Sequence, residues 1–196
     1  MKSQWYRRHG KRWLDLIVAM PLLLLIFPLL LLIGIGVRLD SPGPVLFAQE
    51  RLGYRGQIFR AYKFRTMTHK TRIVHREIAG QNSEVTRLGY WLRRFKLDEL
   101  PQLFNVVKGE MSIVGPRPAL PEQLSEYDDV GQKRLLVCPG LTGLAQVNGN
   151  IHLSWPERWQ WDAVYIENVS LWMDLEIILR TAPVLLFGER RFARRQ

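Results

Sequence analysis

LIVAMPLLLLIFPLLLLIGIGV, running from Leu16 to Val37, is the stretch whose reading decides the architecture. Its twenty-two residues carry no charge, and roughly 20 apolar residues suffice to cross a hydrocarbon core. Pro28 stands near the middle, with no N–H to donate and a ring that crowds the carbonyl of Leu24. Basic residues flank both ends. Lys2, Arg7, Arg8, Lys11 and Arg12 precede the run, and Arg38, Arg51, Arg55, Arg60, Lys63 and Arg65 follow it. A spanning helix normally shows that bias at one end only, so both ends here read as cytoplasmic. A re-entrant helix hairpin broken at Phe27–Pro28, entering and leaving through one face, satisfies both observations. The organisation expected is a basic lead-in and membrane hairpin over residues 1–40, then one domain over 41–196. A secretory signal is rejected, because the run exceeds the usual apolar core of about 7–15 residues and no small-residue cleavage site follows.

The 156 residues beyond the hairpin are enough to bury a core. A net charge of +10 calls for an anionic partner, whether nucleic acid, lipid head groups or a phosphorylated small molecule. The apolar run favours lipid and phosphate. A single cysteine, Cys138, excludes an intramolecular disulfide framework and a cysteine-based zinc site.

Along the chain, Trp5, Tyr6 and Trp13 suit a membrane–water interface. The turn signal Asp40-Ser41-Pro42-Gly43-Pro44 precedes a short strand at Val45–Phe47 and a second strand over residues 57–67. Lys63 and Arg65, two apart on that strand, are expected on one face. Residues 68–86 read as a mobile loop. Leu88, Leu92 and Phe95 fall at helical spacing beside Arg93 and Arg94. A second helix is expected to start near Asp98, with Pro101 in its first turn, and to end at Gly109. Residues 155–167 read as a helix. Residues 171–187 read as an amphipathic one that lies on the core or on the bilayer surface, with the basic tail at Arg190, Arg191, Arg194 and Arg195 near anionic lipid. The fold class is therefore α+β, mostly helical with a small β element.

Among residues that do chemistry, HExxH, GxSxG, Walker and GxGxxG patterns are absent. His9, His69, His75 and His152 fit no metal spacing and read as surface residues. What stands out is Asp98-Glu99. On local pattern it is a helix cap with a first-turn acid that favours the dipole. It equally suits a nucleophile or metal ligand, since adjacent helical residues diverge by about 100° and one carboxylate can hold Mg²⁺ while its neighbour faces a substrate. In Val114-Gly115-Pro116-Arg117-Pro118, two prolines stiffen the backbone around one arginine. A guanidinium so held suits bidentate phosphate recognition, and a structural turn with a solvated arginine accounts for it as well. Lys63, Arg65, Arg93 and Arg94 individually say no more than surface charge.

These motifs in this order, from Tyr62-Lys63-Phe64-Arg65-Thr66-Met67 through Leu97–Val106, Gly109-Glu110-Met111-Ser112, Val114–Pro118 and Pro139–Gly143 to Gln146-Val147-Asn148-Gly149, span nearly the whole chain. The chain resembles the bacterial sugar transferases, monotopic phosphoglycosyl transferases that begin surface-glycan assembly on a polyprenol phosphate, here in a minimal form. The resemblance implies an enzyme on the cytoplasmic face of the bacterial inner membrane, with a UDP-sugar donor and an undecaprenyl phosphate acceptor. It implies that Asp98 attacks the β-phosphorus, that Glu99 holds Mg²⁺, and that Lys63, Arg93 and Arg117 contact phosphates or nucleotide, Arg93 on the acceptor side. Three positions depart from the family pattern. Phe27 stands where a serine often precedes the hairpin proline, Cys138 replaces a basic residue, and Asn150 replaces an arginine after Asn-Gly. A membrane-anchored nucleic-acid binder is the first rival, but Asp98-Glu99 and Pro101 would sit where its second helix enters the groove, so no nucleic-acid partner is expected. A non-catalytic membrane scaffold is the second.

Overall fold

The computed structural model describes residues 5–68, 84–188 and 191. A π-helical turn at Tyr6–Gly10 leads into α1 (Lys11–Asp40), then the strands β1 (Leu46–Leu52) and β2 (Ile58–Phe64). Next come α2 (Arg87–Arg94), α3 (Gln102–Lys108), β3 (Ser112–Val114), α4 (Asp129–Gln132), β4 (Gly140–Thr142) and α5 (Leu144–Val147), with α6 (Trp155–Glu167) and α7 (Leu171–Phe187) last. The protein is mostly helical, with an antiparallel β1–β2 hairpin and a parallel β3–β4 pair. Most of the loop expected over 68–86 lies outside the described residues, as do His69, His75 and the tail arginines Arg190, Arg194 and Arg195. The ends of that loop meet, with Met67 bridged to Val85 and Thr68 N–H donating to the Glu84 carbonyl.

Helical conformation in α1 continues through Pro21 and Pro28. The break expected at Phe27–Pro28 therefore does not divide the segment into two helices. Leucines on either side hold helical propensity, and both ends of α1 are fastened to the domain, so the bond lost at each proline is absorbed locally. Asp15, Ala19, Leu30, Ile33 and Val37 are buried and Leu23 and Ile26 half-buried, three to four residues apart on one face. Between Ala19 and Leu30 no residue is fully buried, and Leu24, Leu25, Leu31, Leu32 and Leu39 are exposed. One helix, Tyr6–Asp40, is long and apolar enough to cross a membrane.

The basic lead-in turns inward. Arg7 donates to the Ile166 carbonyl, and Arg12 to the carbonyls of Val106 and Val107, at the end of α3. Lys11 pairs with Asp174 at 2.8 Å. Asp174 is fully buried on α7 and also accepts from the hydroxyls of Tyr6 and Tyr165 at 2.6 and 2.8 Å. Asp15 accepts from Ser112 Oγ and Ile113 N–H, which binds α1 to β3.

At the other end of α1, buried Arg65 donates to the carbonyls of Val37, Ser41, Pro42 and Pro44 and to Ser41 Oγ. A guanidinium's several donors suit the carbonyls left over at a helix end. Lys63, two residues earlier, instead meets Glu99, so the two cations serve different elements. The ladder itself runs one residue past β2, with Arg65 N–H donating to the Val45 carbonyl at 2.9 Å.

The helices α6 and α7 match the expected ranges, and local signals explain both. Ser154 caps α6 with Glu157 reaching back to the Ser154 N–H at 2.7 Å, and Ser170 caps α7 by accepting from Met173 N–H. Trp172, Leu179, Leu186 and Phe187 on α7 are exposed, as are Tyr90, Trp91 and Phe95 along α2.

Candidate active site

Lys63 lies near the end of β2, where the strand's register is fixed from α3. Fully buried Asn105 accepts from Tyr62 N–H at 3.1 Å and donates to the Arg60 carbonyl at 2.8 Å. Lys63 then reaches Glu99 with Nζ–Oε1 at 2.7 Å. Arg117 approaches the same oxygen at 2.8 Å and the other carboxylate oxygen at 3.4 Å.

Asp98 and Glu99 occupy a 3₁₀ turn, Leu97–Glu99, rather than the start of a helix. Lys96 before it is left-handed at φ 56°, an uncommon conformation for a residue with a Cβ. Pro101 stands immediately ahead of α3, so it supplies the stop between turn and helix rather than the helix's first turn. Asp98 therefore caps nothing. It is 8% exposed, and its Oδ1 has no hydrogen-bond partner among the described residues. A buried acceptor left unmatched is uncommon in folded proteins and costly to keep.

The two carboxylates are driven apart electrostatically. Burial, and then the adjacent Glu99 charge, push the Asp98 carboxyl above its usual range, with Lys63, Lys96 and Arg93 opposing. Burial raises Glu99 too, but Arg117 and Lys63 outweigh it and hold its carboxyl well below the usual range. Burial, with Arg117 nearby, lowers Lys63, against the pull of Glu99. Neighbouring acids pushed in opposite directions are a common signature of functional sites. A Glu99 value depressed on folding contributes stability that is fully present above the ordinary Glu value of about 4.3 and is lost as pH falls through the folded value. Accordingly, the stability gap between wild type and Glu99→Gln should be constant near neutrality and close in acid, which thermal melts between about pH 7 and 3 would read.

Arg93 sits on α2, which Thr86 caps by accepting from Gly89 N–H at 3.0 Å. Gly89 lies against the Thr66 backbone so closely that a Cβ there would collide with it, and Arg93 Nε donates to Thr66 Oγ1 at 2.8 Å. The structure thus brings Lys63, Glu99 and Arg117 into contact and sets Arg93 against the strand end beside them. Phe27 and Pro28 lie on the exposed side of α1. Phe27 lines an apolar groove of about 540 Å³, together with Leu30, Leu31, Phe64, Pro101 and Phe104. Arg38 also lines this groove, which reaches to within three residues of Asp98 in the chain.

No group of three or more His, Cys, Asp or Glu side chains among the described residues could cage a metal. The donors that are present fit Mg²⁺ in a more limited way. Glu99 Oε1 is taken by two cations, while Oε2 accepts from Arg117 at the longer distance of 3.4 Å. One carboxylate oxygen completed by substrate phosphates and water is how Mg²⁺ is usually bound.

Sequence reasoning missed Arg134 and the parts played by Asn105 and Arg65. Asn105 and Arg65 act on backbone far away in the chain, which no local pattern announces. Arg134 is buried and bonded to the Arg117 carbonyl.

Taken together, the fold and the site define a mostly helical domain with one long apolar helix and an adjacent acidic pair, Asp98 buried and Glu99 braced by two cations. The chain belongs to the bacterial sugar transferase family, whose model matches residues 6–188. It is 43% identical to the UDP-glucose:undecaprenyl-phosphate glucose-1-phosphate transferase of Xanthomonas campestris pv. campestris, over 90% of this chain and 38% of that protein. It is 40% identical to the undecaprenyl-phosphate glucose phosphotransferase of Komagataeibacter xylinus, over 97% of this chain and 38% of that protein. The exopolysaccharide production protein ExoY of Rhizobium meliloti (strain 1021) is 39% identical, with 90% of this chain and 85% of that protein covered. The chain thus spans well under half of the two phosphotransferases and most of ExoY.

Proposed function

We propose that this protein transfers a sugar 1-phosphate from a UDP-sugar to a polyprenol phosphate, undecaprenyl phosphate by the relatives' names, at the cytoplasmic face of the bacterial inner membrane. The observation that carries this reading is Asp98, a buried carboxylate with an unpartnered oxygen, close in the chain to the wall of an apolar groove and beside a cation-braced neighbour. In the first step an Asp98 oxygen attacks the β-phosphorus of the donor. The bond from that phosphorus to the bridging oxygen breaks, UMP departs with the bridging oxygen, and the phosphosugar remains on the carboxylate. In the second step a phosphate oxygen of the acceptor attacks the same phosphorus. The Asp98–phosphorus bond breaks, which yields polyprenol diphosphate sugar and the original carboxylate. Covalent catalysis of this kind divides one hard displacement into two easier ones.

Arg117 and Lys63 keep Glu99 ionised and offer N–H donors to the diphosphate, while Arg93 is the acceptor-phosphate candidate beside the strand end. Glu99 Oε2, with the substrate phosphates, would hold Mg²⁺, whose charge offsets that of the displaced phosphate. The groove from Phe27 to Phe104 suits the first isoprenoid units of the acceptor. Intact-mass spectrometry with Mg²⁺ and a panel of UDP-sugars, without acceptor, should reveal one phosphosugar adduct on the chain. No adduct across hexose and N-acetylhexosamine donors would overturn the covalent route.

We also propose that α1 enters the bilayer and returns through the same face. Arg12 and Asp15 at one end and Val37 and Ser41 at the other are bonded to a single domain, and between Ala19 and Leu30 no residue is fully buried. Exposed apolar residues of α2 and α7 would lie at the same interface, beside anionic lipids. With Cys138→Ser as background, cysteines at Trp5 and Arg55 should both be labelled from the cytoplasm only. Labelling from opposite sides would make α1 a spanning helix.

A further inference from the structure

The segment Pro116-Arg117-Pro118 has to hold Arg117 against Glu99, yet two of its three residues have no N–H with which to join a hydrogen-bond ladder. It is held through its carbonyls instead. The Pro116 carbonyl accepts from Gly140 N–H at 2.8 Å, and the Arg117 carbonyl from Arg134 Nη2 at 2.6 Å. The Pro118 carbonyl accepts from Arg51 Nη1 at 3.1 Å, and the Ala119 carbonyl from Leu52 N–H at 2.9 Å. Four successive carbonyls thus take donors from four residues elsewhere in the chain, and the one belonging to Arg117 itself takes a buried guanidinium.

Arg134 is itself fixed on every side. It is 7% exposed. Its Nη1 donates to Tyr127 Oη at 2.6 Å, and its Nε lies 2.9 Å from Asp162 Oδ2 on α6, too far out of line for a hydrogen bond and so an ion pair. Tyr127 packs edge-on against Trp159 of the same helix. A planar fork held by two hydrogen bonds and an ion pair transmits position well, whereas a flexible ammonium would not. Behind the loop, Gly115 lies so close to the Cys138 and Gly140 backbones that a side chain at either glycine would collide. The loop therefore cannot retreat on that side.

We infer that Arg134 is a positioning residue for Arg117: by holding its carbonyl it aims the Arg117 guanidinium at Glu99, and so couples α6 to the acidic pair. This rests on the transferase reading for its effect on rate, though not for its effect on geometry.

The test uses the full chain in nanodiscs with Arg134→Lys, Arg134→Gln, Arg117→Gln and the Arg134→Lys/Arg117→Gln double variant. Arg134→Lys keeps the charge for Asp162 but loses the fork. It should slow single-turnover adduct formation about tenfold or more, in keeping with the cost of small misplacements in a site. In the Arg117→Gln background the same change should cost little, since the group it positions is gone. Equal losses in both backgrounds would reduce Arg134 to general support and overturn the inference. A readout independent of turnover is the rate at which phenylglyoxal modifies Arg117, followed by peptide mass. It should rise severalfold in Arg134→Lys, and an unchanged rate would likewise overturn the proposal. A wild-type chain that forms no adduct, while Arg117 still becomes more reactive in Arg134→Lys, would refute the transferase reading and leave the positioning role standing.

Discussion

Asp98→Asn is expected to remove the phosphosugar adduct entirely and to lower turnover on the order of 10³-fold or more, the scale on which loss of a covalent nucleophile acts. Asparagine keeps the shape and cannot ionise. The fold should not suffer, because Asp98 Oδ1 has no hydrogen bond to lose. Burial raises the Asp98 carboxyl in the folded state, with Glu99 adding to the effect. Wherever the carboxyl is ionised, that burial makes the charged form cost stability, and its neutral replacement should match or exceed the wild-type melting temperature. Gain in stability with loss of activity is the pattern of a site kept at a cost. The wild type should likewise lose adduct formation in acid at a pH above the ordinary carboxylate range, as Asp98 takes up its proton. An Asp98→Asn protein that still turns over would move the chemistry to another residue.

Asp174→Ala is expected to produce the largest loss of stability. The change removes the ion-pair partner of Lys11, whose side chain is only 12% exposed, and the acceptor of both Tyr6 and Tyr165. Breaking a buried pair by deleting one partner costs about 3–5 kcal/mol, which for a chain of this size lowers Tm by roughly 6–20 °C. Lys11→Met in the same chain should restore part of the loss, since it removes the stranded charge. A single-variant cost below about 1 kcal/mol, no more than an ordinary substitution, would show that the network does not hold α1 to α7. Differential scanning fluorimetry in detergent reads both variants.

The helices whose ends are written locally were legible. α6 and α7 begin at Ser154 and Ser170 and end where the expected ranges end, because capping signals act within one turn. The apolar run was legible as helical, but its continuity through Pro28 was not, and Asp98-Glu99 stood out in the sequence as an adjacent acidic pair. What the pair does locally was not legible. A helix start and a 3₁₀ turn share the same residues, and Pro101 settles the difference only once α3 is docked. Lys63 and Arg65 looked like equals on one strand, yet one meets Glu99 and the other ties down the end of α1.

The chain's own chemistry specifies a membrane-seeking apolar segment, a basic surface and a set of motifs distinctive enough to name a family. Those are properties of neighbouring residues, and composition and spacing carry them. The site is different in kind. Lys63, Glu99 and Arg117 lie on separate elements, and they meet because Asn105 locks β2 to α3 and Arg134 holds a proline-flanked loop. Those bonds run from side chains to backbone carbonyls and amides, which every residue possesses, so no residue pattern marks the partner. Only the folded arrangement decides which carbonyl is in reach.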